Sequence, residues 1–401
     1  MEEEFQRTAE SLSVHLPLPY RVILIFIIGI WLFGLNLHYF SIIRIEAGPM
    51  LRYTRSANEP PLHSSVYQVA LVLSALFGLN LVAFWTMTGG NEELVRVWEI
   101  LPSMLFAAIV GIFLWPFGGW HKRGRWRFLR MLRRILIGGI HPDLRFADIL
   151  LADALTSYAK VLGDFAVCIC MFMSGHSSTN TSPNRACGGV YLVPCVMALP
   201  YLIRLRQCLT EYVRARRKGV TERRVHLYNS AKYASAFPVI VCSALQREYD
   251  PDVPHMFQKS TLSRMWLCAV VFNSGFSFYW DVTKDWDLTL FSSKRSSGDY
   301  PWALRANRHF VAVGFYYSAI IVDILLRATW SFKLSPHLDH INEMEGGIFT
   351  LELLEVFRRW VWTFFRVEKE WVHSRAGGGL GYLENGEGMQ LQEFGSKFVE
   401  D

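Results

Sequence analysis

The chain carries apolar stretches of about twenty residues at intervals along most of its length, and a helix of that size spans the roughly 30 Å hydrocarbon core of a bilayer. Lipid offers no partner to a bare backbone, so stretches of this kind have to be helical. They fall at 22–43, 66–88, 100–117, 147–173, 190–209, 229–245, 263–281, 309–330 and 347–365. The expectation is an all-α, polytopic membrane protein with about nine transmembrane helices. Hydrophobic residues make up 51% of the 401 positions and the mean hydropathy is positive, which excludes an ordinary soluble domain of this length.

Basic residues give the orientation, because loops rich in Lys and Arg stay cytoplasmic. Residues 119–146 carry Lys122, Arg123, Arg125, Arg127, Arg130, Arg133, Arg134 and Arg145, and residues 210–228 carry Arg214, Arg216, Arg217, Lys218, Arg223 and Arg224. The alternate loops hold one base each: Arg96, Arg185 and Lys333. This places the N-terminus in a lumen and the C-terminus in the cytoplasm. Asn180, in Asn-Thr-Ser, is a glycosylation candidate in a loop assigned to the lumen. Within 119–145, Trp126, Leu129, Leu132 and Ile135 recur at helical spacing among arginines, a pattern for an amphipathic helix against anionic membrane lipids. Most of the seven cysteines lie in or beside apolar stretches and read as small core residues rather than a disulfide framework.

Charge inside the later spans is the second informative feature. Asp153, Lys160 and Asp164, then Arg204 and Arg206, Lys232, Asp281 and Asp285, Asp323 and Arg327, and Glu355, Arg358 and Arg359 all interrupt apolar sequence. Charge at such depth costs several kcal/mol unless it is paired or hydrated, so these residues mark an ion or substrate path. Asp281 with Asp285, and Asp323 with Arg327, are four apart and share a helical face. Asp323 reads as the structural partner of Arg327. The last two of these spans set Arg327, Arg358 and Arg359 against Asp323 and Glu355, and this spare positive charge points to an anion, since the arginine fork matches tetrahedral oxyanions and lysine adds a point charge. Tyr233 adds a hydroxyl, and Trp330 an apolar gate. No zinc motif, nucleophile elbow or phosphate loop is present, so no enzyme, cofactor, metal or nucleic acid is expected. A membrane transferase with a metal at Asp281 and Asp285 is the weaker alternative.

The segments LADALTSYAKVLGDF, YNSAKYASAFP, FYWDVTKDWDL, AIIVDILLRATW and LLEVFRRWVWTFFRVEKEW, in this order, resemble the EXS domain of phosphate exporters. The resemblance runs over 146–371, with the last six spans as the transport bundle, and implies inorganic phosphate as substrate. Carried over by motif, the pathway holds Asp153, Arg204, Lys232, Tyr233, Asp281, Asp285, Arg327, Trp330, Glu355, Arg358 and Arg359. Thr156 stands where exporters often have Asn.

The remaining parts are a short lumenal segment 1–20, a three-helix region 21–118 that serves as scaffold or homodimer surface, the basic linker 119–145, and a disordered cytoplasmic tail 372–401. No SPX sensor domain is seen, and the short form is similar to the family's fungal ER-retention-defective members. That similarity implies a Golgi membrane, or alternatively an endoplasmic reticulum membrane, where the protein returns lumenal phosphate left by glycosylation to the cytosol. The rival expectation is a non-transporting adaptor that holds glycosyltransferases or Golgi sorting proteins.

Overall fold

The structure is a computed structural model that describes residues 14–51, 53, 60–115, 121–138, 145–175, 179, 183–252, 256–293, 300–334 and 345–376. Among them every regular element is helical. The longer helices are α1 (Leu18–Ile42), α2 (Leu62–Thr88), α3 (Ile100–Leu114), α4 (Lys122–Ile137), α5 (Arg145–Ser157), α6 (Ala159–Met173) and α7 (Gly189–Arg217). They continue with α8 (Arg224–Ala234), α9 (Ala236–Arg247), α10 (Lys259–Trp280), α11 (Val313–Arg327) and α12 (Glu345–Ala376). The glycosylation candidate Asn180 and residues 377–401 of the expected tail lie outside the described residues, whereas 372–376, expected to be disordered, continue α12 as helix.

The protein is all-α and polytopic, as expected, but the count of nine is not reached by helix length and hydropathy. Among the described residues five helices are long and apolar enough to cross a membrane, or six if α5 and α6, bent by 66° at their junction, form one span. The remaining expected spans are helical and more polar. Residues 224–247 form two helices that meet at Ser235, and α10 and α12 reach 22 and 32 residues while carrying the charges described below. The second basic stretch is also more helical than a loop, because α7 runs on to Arg217 despite Pro194 and Pro200 inside it.

Helix α1 is embedded in the bundle. Tyr20 packs edge-on against Phe77 and Phe84 of α2, while Val22 and Ile25 pack with Val161 of α6 and Val356 of α12. Asn36 donates from Nδ2 to the Trp360 carbonyl of α12 at 3.3 Å. Helix α1 thus packs on both sides of the boundary expected near 119. Between helices in lipid the attraction is close packing, which favours small residues at the contact. At Gly29 a methyl group would overlap the Tyr158 hydroxyl oxygen, and that Tyr158 ring stacks on Phe26 at 5.2 Å. Gly29→Ala is therefore expected to push Tyr158 out of place and cost about 1–3 kcal/mol, read as a lower midpoint of thermal unfolding in detergent. An unchanged midpoint would contradict this packing.

Basic helix α4 is partly docked on the protein. Ile135 is buried with Leu132 against Ala152 and Ile203, whereas Trp126 is exposed. Arg125 caps carbonyls at the end of α3, those of Ile112 and Trp115, and Arg134 grips Asp148 of α5 at 2.5 and 2.6 Å. Arg206 of α7 donates to the Ile135 and Leu136 carbonyls at 2.6 and 2.9 Å, placing a cation at the C-terminal end of α4.

The cysteine expectation needs correction, because Cys170 and Cys187 form a disulfide with Cα atoms 6.0 Å apart. Cys170 lies within the last turn of α6, which ends at Met173, and this end position brings it beside the segment that precedes α7. Counting it within a continuous span concealed the partner.

Candidate functional site

Interruptions of helical geometry come together in the polar half of the bundle. Between α5 and α6 the chain breaks at Tyr158, whose N–H bonds the Leu155 carbonyl at 3.1 Å. Helices α8 and α9 meet at Ser235, whose hydroxyl reaches the Lys232 carbonyl at 2.6 Å and Asn273 Oδ1 at 2.8 Å. Helix α10 passes into a π-turn, Asp281–Asp285, closed by a bond of 2.8 Å from Trp286 N–H to the Asp281 carbonyl. Irregular backbone at membrane depth is tolerated where it is buried in protein or lines a polar path, and broken helices with π-turns recur at transport sites.

The ionisable residues gather beside these breaks. Asp281, fully buried, is the hub: Lys232 Nζ lies 3.4 Å from Oδ1, Arg327 Nη2 donates to Oδ2, and Arg358 Nη1 lies 3.7 Å from Oδ2. One turn on, Asp285 receives Lys232 Nζ at 3.5 Å. Asp323 accepts from Arg327 Nε at 2.9 Å and from Arg358 Nη1 at 3.0 Å. Glu355 holds the other edge of Arg358 through Nε at 3.0 Å and Nη2 at 2.5 Å, and its Oε1 also accepts from Ser157 Oγ at 2.9 Å. Arg359 donates to Ser157 Oγ at 3.0 Å and Thr156 Oγ1 at 3.2 Å, with its guanidinium over the Trp362 ring. Beside this group, Asp153 accepts from the Tyr233 hydroxyl at 2.5 Å and pairs with Arg204 Nε at 2.6 Å, and Arg204 also reaches Gln207.

The sequence-predicted residues Asp153, Thr156, Arg204, Lys232, Tyr233, Asp281, Asp285, Asp323, Arg327, Glu355, Arg358 and Arg359 are therefore one linked constellation drawn from α5, α7, α8, the π-turn after α10, α11 and α12. Others separate from it. Arg206 serves α4, Lys160 is exposed, and Asp164 pairs with Arg185. Trp330 lies one turn beyond Arg327 and meets Trp266 edge-on at 6.3 Å, among Cys242 and Val270. Sequence reasoning missed Ser157 and Gln207. Gln207 was legible as the i+3 neighbour of Arg204 on one helix face, whereas Ser157 gains its role only from the break beside it.

The expected surplus of positive charge is also corrected by the geometry. Counted together, Arg204, Lys232, Arg327, Arg358 and Arg359 face Asp153, Asp281, Asp285, Asp323 and Glu355, so cations and acids balance one for one. The surplus arose from reading α11 and α12 alone, without the acids on α5 and the π-turn. Chemically, the constellation offers convergent guanidinium forks and one ammonium; Arg204, Lys232, Arg327 and Arg358 are each held by a carboxylate that competes with any entering anion, and Arg359 is held by the Ser157 and Thr156 hydroxyls.

The chain is 30% identical over 366 residues to "Protein ERD1 homolog 1" of Schizosaccharomyces pombe, covering 90% of this chain and 92% of that protein. It is 27% identical to "Solute carrier family 53 member 1" of Mus pahari, covering 78% of this chain and 44% of that protein. With "SPX and EXS domain-containing protein 5" of Dictyostelium discoideum the identity is 28%, over 78% of this chain and 34% of that protein. The EXS family profile matches residues 16–372, taking in α1 to α3 as well as the charged helices. With nearly the whole described bundle inside that match, the chain belongs to the EXS family.

Proposed function

We propose that this protein conducts inorganic phosphate across a secretory-pathway membrane, through the constellation around Asp281, and that it is a transporter and not an enzyme. The observation that carries this is the convergence of five cations with their matching acids at the helix breaks. A phosphate ion that enters exchanges one acid–base contact for another, so it binds without being trapped, as conduction requires. Along α12 the polar positions Glu345, Glu352, Glu355, Arg359, Arg366, Glu370 and His373 recur three, four or seven residues apart, on one stripe. At 1.5 Å per residue that stripe is about 42 Å long, more than the hydrocarbon core.

The secretory-pathway assignment draws on the relatives named ERD1 and on the Cys170–Cys187 disulfide, a bond that persists in an oxidising lumen. In this reading the protein sits in the Golgi membrane and returns phosphate released by lumenal glycosylation to the cytosol. Retention of resident enzymes then follows from the kept lumenal chemistry.

The test is phosphate flux into proteoliposomes holding the purified protein. Wild type is expected to carry phosphate down its gradient. Arg359→Ala is expected to slow flux by about 10- to 100-fold, the equivalent of the 1.5–3 kcal/mol of a charge-assisted hydrogen bond. Arg359→Lys should fall between, because charge is kept and the fork is lost. Well-folded wild-type protein without phosphate flux would end this proposal.

A further inference from the structure

A second buried group of ionisable side chains lies where α1 and α12 begin, away from Asp281. Glu345, the first residue of α12, bridges two arginines. Its carboxylate lies 2.9 Å from Arg21 Nη1 and 3.0 Å from Arg185 Nη2, and it also accepts from Arg185 Nη1. Its backbone carbonyl accepts from Arg21 Nη1 at 2.9 Å. Arg185 is held on its other edge by Asp164, at 3.1 and 3.4 Å, and lies two residues before the disulfide-bonded Cys187.

Two further facts single this group out from ordinary ion pairing. Arg21 is only 2% exposed, and its Nε and Nη2 have no acceptor among the described residues. Glu352, 4% exposed, likewise has an Oε1 without a donor among them, and it lies within electrostatic range of Asp164, Lys160, Arg185 and Arg21. Buried donors and acceptors are rarely left unmatched, so these point to a polar ligand. Two guanidinium forks that converge on one carboxylate, with donors to spare, form a mould for a tetrahedral oxyanion.

We propose that Arg21 and Arg185 form a second phosphate station on the side of the bundle read as lumenal, where the Glu345 carboxylate occupies the anion's place until phosphate displaces it. The inference rests on the transport proposal above and adds an entry gate to it. Glu345 is two helical turns from Glu352 along α12, and Glu352 is one to two turns from Glu355 and Arg359, so the two stations are about 15–20 Å apart on one polar stripe. The burial of Arg21 keeps lipid headgroups from its side chain, so the ligand is the free ion.

The experiment measures phosphate entry separately from each face in oriented proteoliposomes, with inorganic phosphate as probe. Glu345→Gln keeps shape and hydrogen bonding but weakens the competitor, so half-saturating phosphate on the lumenal face should fall by about tenfold. Arg21→Gln should raise it by a similar factor, Arg21→Lys should raise it less, and the cytoplasmic-face value should stay constant in all three. Variants that are monodisperse and match wild type, or that shift both faces equally, overturn the gate while leaving the transport proposal standing. Wild-type protein without flux from either face instead removes the transport proposal, and the gate with it.

Discussion

Asp281→Ala should be the most damaging single change in the bundle, abolishing phosphate flux and lowering stability by about 3–5 kcal/mol, the cost of breaking a buried ion pair from one side. The reason is the number of cations that share this carboxylate. Lys232, Arg327 and Arg358 all converge on it, and it is 0% exposed, so no water replaces it. Asp323, Glu355 and Asp285 compensate in part, since Asp323 already holds Arg327 and Arg358, Glu355 holds Arg358 and Asp285 holds Lys232. Asp281→Asn should be milder in stability, because an amide oxygen still accepts a hydrogen bond. Its effect on flux should remain large, because the charge balance of the site is lost. Thermal unfolding in detergent and proteoliposome flux measure the two effects separately. A stable, fully active Asp281→Ala protein would show that the constellation is not organised around this residue.

Glu368→Ala should cost a similar amount, about 3–5 kcal/mol, at a site away from the proposed path. Glu368 is fully buried in α12 and accepts from several donors. They are Arg305 Nη2, the Tyr316 hydroxyl, and the backbone N–H groups of His309 at 2.7 Å and Phe310 at 3.0 Å. These contacts tie the segment before α11 to α12 and enclose the group in an aromatic core of Trp286, Phe310, Tyr316 and Phe365. Removing the carboxylate leaves a buried guanidinium and two backbone donors unsatisfied, each a penalty in its own right. The expected result is a strongly lowered unfolding midpoint and poor recovery of monodisperse protein. Glu368→Gln, which keeps an acceptor, should recover part of the loss. Residual protein that unfolds at the wild-type midpoint would contradict the anchoring role.

Much of the site is legible in the amino-acid string, for a physical reason. Ionisable residues in apolar helices are costly, so each is conspicuous there, and spacing along one helix decides which of them share a face. Asp323 with Arg327, and Glu355 with Arg358, are pairs of this local kind, and both form. Contacts that cross between helices are not legible in this way. Asp164 follows Asp153 by eleven residues and looks like its companion, yet the 66° bend at Tyr158 sends it to Arg185. Arg21 stands just outside the first apolar stretch, and nothing around it in sequence signals a buried partner 324 residues away.

The sequence by itself determined the all-helical membrane character, the basic and base-poor alternation and the identity of most residues in the constellation, because hydropathy and helical periodicity are properties of neighbours in the chain. The tertiary structure decided the charge balance of the site, the disulfide between Cys170 and Cys187, the separation of Asp164 from Asp153, and the place of α1 against α12. Those features depend on where helices break and how they are rotated about their axes. Such choices are made by packing between distant segments, as when Gly29 admits the Tyr158 ring.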